Sequence, residues 1–308
     1  MAKKELLVGL IKDDSEKYDG YNWHDEYAKH FVALGDEVEF LDFEKNNWMD
    51  QVLQKDFDLF FWRACHRPDL RDDAKGKIYF IDKILNRRIF PNWDMYYPYD
   101  NKIVQLFLMN KFKIPHPETF YSRDKIEIEN FIKNTKYPVV SKSSDGACGD
   151  NVRRYDDPAS LTKHIEQIFS EEGLRTYFPW VRQKGYVYLQ EFLPVQKDLR
   201  IIVIGDKVEL SFWRENENSW IKNVSNGGRI CTDPVPKNIL DEAISASKKL
   251  NLHWCAFDVI VAKDKFYFLE FSSIFGFSRK AGHYEKAFGS PNAFILEKQV
   301  KYVHNLFI

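Results

Sequence analysis

Residues 266–279 read FYFLEFSSIFGFSR, an apolar run of strand type with a single carboxylate, Glu270, and Ser272 two positions further on. A carboxylate on so apolar a strand is costly unless it is paired or bound to a cation. The run just before it, WCAFDVIVAKDK, carries a second acid, Asp258. The two runs predict a hairpin in which Ala262 pairs with Phe266 across a Lys263-Asp264-Lys265 loop. That register sets Asp258 directly opposite Glu270. Like charges opposed on one sheet face are destabilising, and apolar surroundings worsen this unless one acid is protonated or a cation sits between them. Hard oxygen donors on rigid strands suit Mg²⁺. The competing reading is an edge hairpin whose acids face solvent or nearby lysines, and a one-residue slip would separate the pair.

Length and composition set the frame for this hairpin. A chain of 308 residues is enough for two or three packed units. With 44% hydrophobic and 16% aromatic residues, the composition excludes a disordered chain. Lys and Arg number 45 against 46 Asp and Glu, so no net charge points to nucleic acid. Cys65, Cys148, Cys231 and Cys255 are scattered without a CxxC pair, which predicts reduced thiols and a cytoplasmic setting rather than disulfides or a zinc site. The opening MAKKELLVGLIKDD reads as a first strand and not as a signal peptide. No stretch approaches the ~18 apolar residues of a membrane span, so no membrane partner is expected.

Along the chain, ELLVGLI, EVEFLDF and DLFFWRA alternate with helical stretches such as WHDEYAKHFVALG, where Tyr27, Phe31 and Leu34 recur at helical spacing before Gly35. This predicts a parallel α/β unit over residues 1–98. A helix from about Asp100 is expected to carry Ile103, Val104, Phe107 and Leu108 on one face, and it stops before the prolines of KIPHPETF. YPVVSK is a strand, SSDGACGDN a polar loop, and Asp157-Pro158 a helix start. From residue 186 the pattern becomes antiparallel, with YVYLQEF, a hairpin turning at Gly205-Asp206, a helix near 236–250, the acidic hairpin, and a last helix near 292–305. The fold class is therefore α/β with α+β character. We expect three units, at 1–98, 99–187 and 188–308.

Several ordered stretches between Asn92 and Arg279 together resemble the ATP-grasp ligases, in their RimK-like and glutathione-synthetase-like branch. They are YDNK, IPHPET, YPVVSKSSDGACGDNV, LQEFLPVQKDLRIIVIGDKV, SFWR, NVSNGG, AFDVIV and FLEFSSIFGF. The resemblance implies an ATP-grasp fold behind an N-terminal parallel α/β domain. It also implies roles for particular residues. Lys102 and Lys142 would reach nucleotide phosphates, and a lysine ending a buried strand can deliver a point charge there. The loop Ser143 to Asn151, with Gly146 and Gly149, would cover the phosphates by backbone N–H groups. Its acids Asp145 and Asp150 would repel phosphate if turned inward. Glu191, Phe192 and Leu193 would hold adenine, with Asp198 beginning the next strand. Arg200, Arg214 and Asn223 would face the transferred phosphate or a substrate carboxylate. Asp258, Glu270 and Ser272 would hold the metal, although serine stands where the family usually has asparagine. The bland readings are snorkelling lysines, a simple hairpin loop, and arginines paired with surface acids.

The implied reaction is ATP-dependent carboxylate–amine ligation through an acyl phosphate, with Mg²⁺ as the metal and Mn²⁺ as its alternative. Phosphoryl transfer needs positioning and charge neutralisation rather than a protein nucleophile, and the chain has no GxSxG, HExxH or Walker A motif. A small-molecule kinase and a nucleotide-binding regulator are the rival readings. Partners are then a small-molecule or peptide carboxylate and an amine or amino acid, with a homodimer compatible. Arg63, His66 and Arg67, with Trp62, Trp93 or Tyr96 nearby, are candidates for an anionic substrate at the strand ends of the first unit; a loop salt-bridge cluster with interface aromatics is the alternative.

Overall fold

Short apolar strands alternating with helices form the first layer of the computed structural model, which describes residues 5–12, 21–64, 68–146, 149, 151–176, 178, 180–277 and 282–308. Strands β1 (Leu7–Ile11), β2 (Glu37–Leu41), β3 (Leu59–Phe61) and β4 (Ile89–Phe90) make one sheet in the order β2-β1-β3-β4, with every pair parallel. The helix Trp23–Leu34 buries Trp23, Tyr27 and Phe31. It starts where the Asn22 side chain accepts the Asp25 N–H at 3.1 Å, and it ends at Gly35 in the left-handed conformation, φ 92°. The last helix, Pro291–Asn305, closes back onto this layer. The Tyr27 hydroxyl donates to Gln299 at 2.6 Å, and buried His304 and Asp36 share a 2.9 Å hydrogen bond.

The helix Lys102–Phe112 leads into the rest of the chain, and its inward face differs from the expected one. Lys102, Gln105, Leu106 and Met109 are buried, whereas Phe107 is exposed and Ile103, Val104 and Leu108 are only half-buried. Polar residues hold the inward face because they have partners there. Gln105 donates to Phe271 O at 2.8 Å and accepts from Phe271 N at 3.1 Å, clasping an edge of the acidic hairpin. Apolar periodicity alone cannot see a buried glutamine that pairs with a strand edge.

The central sheet contains β5 (Thr119–Ser122), β6 (Val139–Lys142) and β7 (Val152–Tyr155). After a two-stranded ribbon, β8 (Leu174–Arg175) with β9 (Arg182–Gln183), the strand β10 (Val187–Glu191) completes it in the order β5-β10-β6-β7. Helices Lys125–Asn134 and Pro158–Ile168 supply Ile128, Leu161 and Ile165 to a core with Val139 and Leu189. By strand alternation, Val140, Lys142 and Gln190 fall on the opposite face. β10 pairs with β5 and β6, and the chain passes to the next sheet at residues 192–196.

The third sheet is antiparallel. Strands β11 (Lys197–Ile204), β12 (Lys207–Glu215), β13 (Arg229–Cys231), β14 (Trp254–Ala262) and β15 (Lys265–Ser272) lie in the order β13-β12-β11-β14-β15. The helix Lys237–Lys249 seals one face with Ile239, Ala243 and Ala246.

The β14–β15 hairpin corrects one expectation and retains another. Ala262 pairs with Lys265, not Phe266, across a two-residue turn in which Lys263 (φ 50°) and Asp264 (φ 62°) are both left-handed. This is the primed turn geometry that matches strand twist. A bulge then leaves Leu269 unpaired, and the added residue restores Asp258 opposite Glu270. Among the described residues, no helix is long and apolar enough to cross a membrane.

Candidate active site

A cleft of about 610 Å³ lies between the central sheet and the third sheet. Lys102, Lys142, Gly146 and Gly149 line it from the central side. Glu191, Phe192 and Leu193 line its end at the crossing between sheets, and Asp198, Arg214, Asn223, Asp258 and Glu270 line the opposite wall. Arg200 and Ser272 do not line the cleft.

Cross-strand register builds the acidic wall. Asp198 pairs with Arg214 on β12, and Arg200 pairs with Asp258 on β14, which in turn faces Glu270 on β15. Arg214 binds Asp198 through two bonds, Nε at 2.7 Å and Nη2 at 2.9 Å. Asp258 Oδ1 receives Arg200 at 2.8 Å and Arg214 at 3.0 Å. Burial works to raise the Asp258 carboxyl, but the two guanidiniums prevail and hold it at about 2. The two arginines therefore pair with buried acids of the cleft, not with surface acids.

Two buried lysines oppose these carboxylates. Lys102 Nζ lies 3.2 Å from Glu270 and donates to Gly146 O at 3.0 Å. Burial disfavours its charge, yet Glu270 and Asp100 raise its pKa above the ordinary lysine value. Among the described residues Lys142 has no carboxylate within ion-pair distance; it donates to Gln190 Oε1 at 2.7 Å. Burial accordingly depresses it to about 8. A cation kept partly desolvated beside an open cleft is poised for an anion.

Apolar residues from both sheets form the remaining walls. Val140 lies on β6, while Ile260 and the bulged Leu269 lie on β14 and β15. The bulge turns Leu269 and Glu270, adjacent in sequence, toward the same cleft. At the crossing, the Phe192 ring is covered by the Arg154 guanidinium at 4.4 Å and met edge-on by Trp220 at 5.7 Å. Glu191 Oε1 accepts the Glu118 N–H at 2.8 Å. Arg154, Gln190, Trp220 and Lys222 line the cleft without having been expected from sequence. Lys222 is buried and donates to the carbonyls of Asn216 at 2.7 Å and Ser219 at 2.8 Å.

Ser143, Gly146, Gly149 and Asn151 of the glycine loop line the cleft. A Cβ on Gly149, which has φ +79°, would lie 3.2 Å from Ile221, so the loop touches the 216–228 segment there. Asp145 turns away from the cleft toward Arg71, at 2.6 Å. Asp150 and Cys148 lie outside the described residues, as do Cys65, His66 and Arg67. The aromatic candidates of the first unit do not line this cleft. Trp62 and Tyr96 are core residues, Trp93 stacks on Tyr97 at 4.9 Å, and Arg63 covers Trp23 at 3.6 Å.

The wall fits a divalent cation bound with phosphate. Among the described residues no group of three or more His, Cys, Asp or Glu is arranged to hold a metal ion. Mg²⁺ instead commonly takes one or two carboxylates and completes its shell with water and phosphate. Asp258 and Glu270 supply such a pair. The Ser272 hydroxyl donates to Ile274 O, so its oxygen lone pairs remain the only donors it can offer.

Comparison with known proteins agrees with this geometry. The profile of the RimK-like ATP-grasp domain matches residues 99–285. The chain is 28% identical over 173 residues to the alpha-aminoadipate–LysW ligase LysX of Saccharolobus solfataricus, covering 56% of this chain and 60% of that protein. It is 33% identical over 179 residues to the tetrahydromethanopterin:alpha-L-glutamate ligase of Methanocaldococcus jannaschii, covering 56% and 57%. It thus matches little more than half the length of these curated relatives. In fold it resembles the D-alanine–D-alanine ligase of Bacillus anthracis solved with ATP, at TM-score 0.65 and 12% identity over 98% of this chain and 100% of that one. A RimK domain ATP-grasp protein of Sphaerobacter thermophilus gives TM-score 0.62 and 14% identity over 96% and 99%. With the profile spanning more than half its length, the chain belongs to the RimK-like ATP-grasp family.

Proposed function

We propose that the cleft binds Mg-ATP and that the protein is an ATP-dependent carboxylate–amine ligase. One observation carries this reading most: two buried lysines face the opposed pair Asp258 and Glu270 across a cleft with apolar walls. Val140 on one sheet and Ile260 with Leu269 on the other make a slot for a planar base. The Glu191 and Phe192 N–H groups are already bonded to Glu118 O at 2.9 Å and Pro138 O at 3.4 Å. The base edge would therefore be met toward the Leu193 end of the crossing.

Lys142 and Lys102 neutralise phosphate charge, Lys142 as the cation without a carboxylate in contact among the described residues. Asp258 and Glu270 would hold Mg²⁺, which would supply further neutralisation of phosphate charge. Arg200 and Arg214 keep Asp258 ionised and fix its direction. Asn223 carries the turn that brings the 216–228 segment over the cleft. A substrate carboxylate attacks the γ-phosphorus, and the bond to the β-phosphate oxygen breaks to release ADP. An amine then attacks the acyl carbon, phosphate leaves, and the amine proton passes to solvent or a nearby base. Residues 1–98 are proposed as a substrate-facing unit beside the nucleotide-binding units.

Relatives named for glutamate or alpha-aminoadipate make acidic amino acids the first amines and carboxylates to test. The assay is ADP release in an amino-acid-supplemented metabolite extract, followed by product mass. A product one water lighter than its two precursors supports the ligase. A precursor gaining a phosphoryl group would replace it with a kinase.

A further inference from the structure

Arg71, on the helix Pro68–Tyr79 of the first unit, is 5% exposed and reaches two parts of the nucleotide-binding region at once. Its Nη1 donates to Asp100 Oδ2 at 2.8 Å and to Asp100 O at 3.2 Å, while Nη2 donates to Asp145 Oδ1 at 2.6 Å. Asp145 lies on the glycine loop, 74 residues further along the chain. Asp100 uses its other oxygen, Oδ1, to accept the Gly146 N–H at 3.0 Å. Gly146 O receives Lys102 Nζ at 3.0 Å, and Ser144 O receives the Lys102 N–H at 3.1 Å. Ser144 is tied further to Asn101 at 3.0 Å and to the Tyr186 hydroxyl at 2.9 Å. The start of the loop, the helix carrying Lys102 and the first unit therefore meet at one guanidinium.

The geometry suits a guanidinium. A planar fork can hold two carboxylates in fixed directions, whereas an ammonium is a point charge. Asp100 itself sits at a left-handed φ of 49°, a conformation that needs its surroundings to hold it. Asp145 neighbours Gly146, which has φ +123° and whose Cβ would clash with the Asn151 side chain at 2.3 Å. Without Arg71, two buried or half-buried carboxylates would share one cation fewer. Asp145 would then be able to turn toward the cleft, where its charge opposes a triphosphate.

We propose that Arg71 is a positioning residue that couples the first unit to nucleotide binding by holding Asp145 outward and fixing Asp100, Gly146 and Lys102. The inference rests on the reading of the cleft as a Mg-ATP site. It adds a route by which events in the first unit change nucleotide affinity.

The test is calorimetric binding of Mg-ATP and Mg-ADP to the full chain, with thermal unfolding and amide exchange at Gly146 in parallel. Arg71→Lys keeps the charge and loses the fork. It should bind Mg-ATP about tenfold more weakly, within the range of coupling between sites, and exchange the Gly146 amide faster. Arg71→Met should go further in the same direction. Should Arg71→Met fail to fold, Arg71→Lys and Asp145→Asn decide the matter. Folded variants with lowered melting temperature but unchanged affinity and exchange would overturn the proposal and leave the Mg-ATP reading intact. Absence of Mg-ATP binding in the unmodified protein would overturn both.

Discussion

Asp258 lies opposite Glu270 because β15 carries one residue more than its partner needs, and that residue, Leu269, points into the cleft. One local irregularity thus aligns two carboxylates and supplies an apolar wall beside them. Bulges near active sites serve to re-aim side chains in this way. Leu269→Trp should fill the slot and weaken Mg-ATP binding by about tenfold or more, equivalent to ~1.4 kcal/mol. Binding of inorganic triphosphate should change little. Equal losses for both ligands would place Leu269 outside the base slot.

Lys142 is held in the fold at a cost in stability. Burial lowers it to about 8 from the ordinary 10.5, so the folded state holds fewer protons than the unfolded one between those values. Its contribution to stability therefore rises with pH from about 8 toward 10.5, and the full desolvation cost is present below pH 8. Lys142→Met should unfold at a higher temperature at pH 7, by on the order of 1 kcal/mol, while losing most ATP affinity. In the unmodified protein, ATP affinity should fall as pH rises through about 8. A variant both less stable and fully able to bind ATP would contradict this account.

Arg214 holds two acids. Replacing it with methionine leaves Asp198 and Asp258 with one cation fewer, and breaking a buried pair costs about 3–5 kcal/mol. Asp258, held at about 2 in the native protein, contributes stability that is full above its unfolded pKa and is lost progressively as pH falls from there through about 2. Without Arg214 its carboxyl should protonate at higher pH, and the variant should lose stability earlier on acidification. Urea unfolding at pH 5 and pH 8 measures both effects. A cost below ~1 kcal/mol at both pH values would show that the pair is not structural.

Gly228 closes the turn that presents Asn223. A Cβ there would lie 2.1 Å from Lys222 O and 2.8 Å from Asn223 O, both main-chain atoms that cannot swing aside. Gly228→Ala should cost about 1–3 kcal/mol and reduce ATP turnover more than it reduces melting temperature. Normal turnover in this variant would remove the 216–228 segment from the site.

Much of the site was legible where local pattern and chemistry coincide. A lysine ending PVVSK and acids on opposed apolar strands are visible in a single stretch. The turn pairing Ala262 with Lys265 was not, because Lys263-Asp264 lacks the Asn-Gly or Asp-Gly signature of a primed turn and a bulge has no marker in FYFLEF, yet Asp258 does face Glu270 as the expected register implied. The inward face of the helix Lys102–Phe112 was misjudged because Gln105 is buried by bonds to Phe271, a partner 166 residues away. Arg154, Gln190, Trp220 and Lys222 are ordinary in their local context. Only the approach of two sheets gives them a shared surface. The same holds for Arg71, whose partners Asp100 and Asp145 are distant in sequence.

The central claim is that Glu270 and Asp258 bind the metal that makes ATP turnover possible. The most direct test is Mg²⁺-dependent ADP release by the unmodified protein and by Glu270→Ala, in an extract containing amino acids. The account predicts that the variant keeps its fold, as read by circular dichroism, and that release falls by about 10²–10³-fold, as expected when charge stabilisation at the reacting phosphate is lost. Undiminished ADP release by folded Glu270→Ala would contradict it.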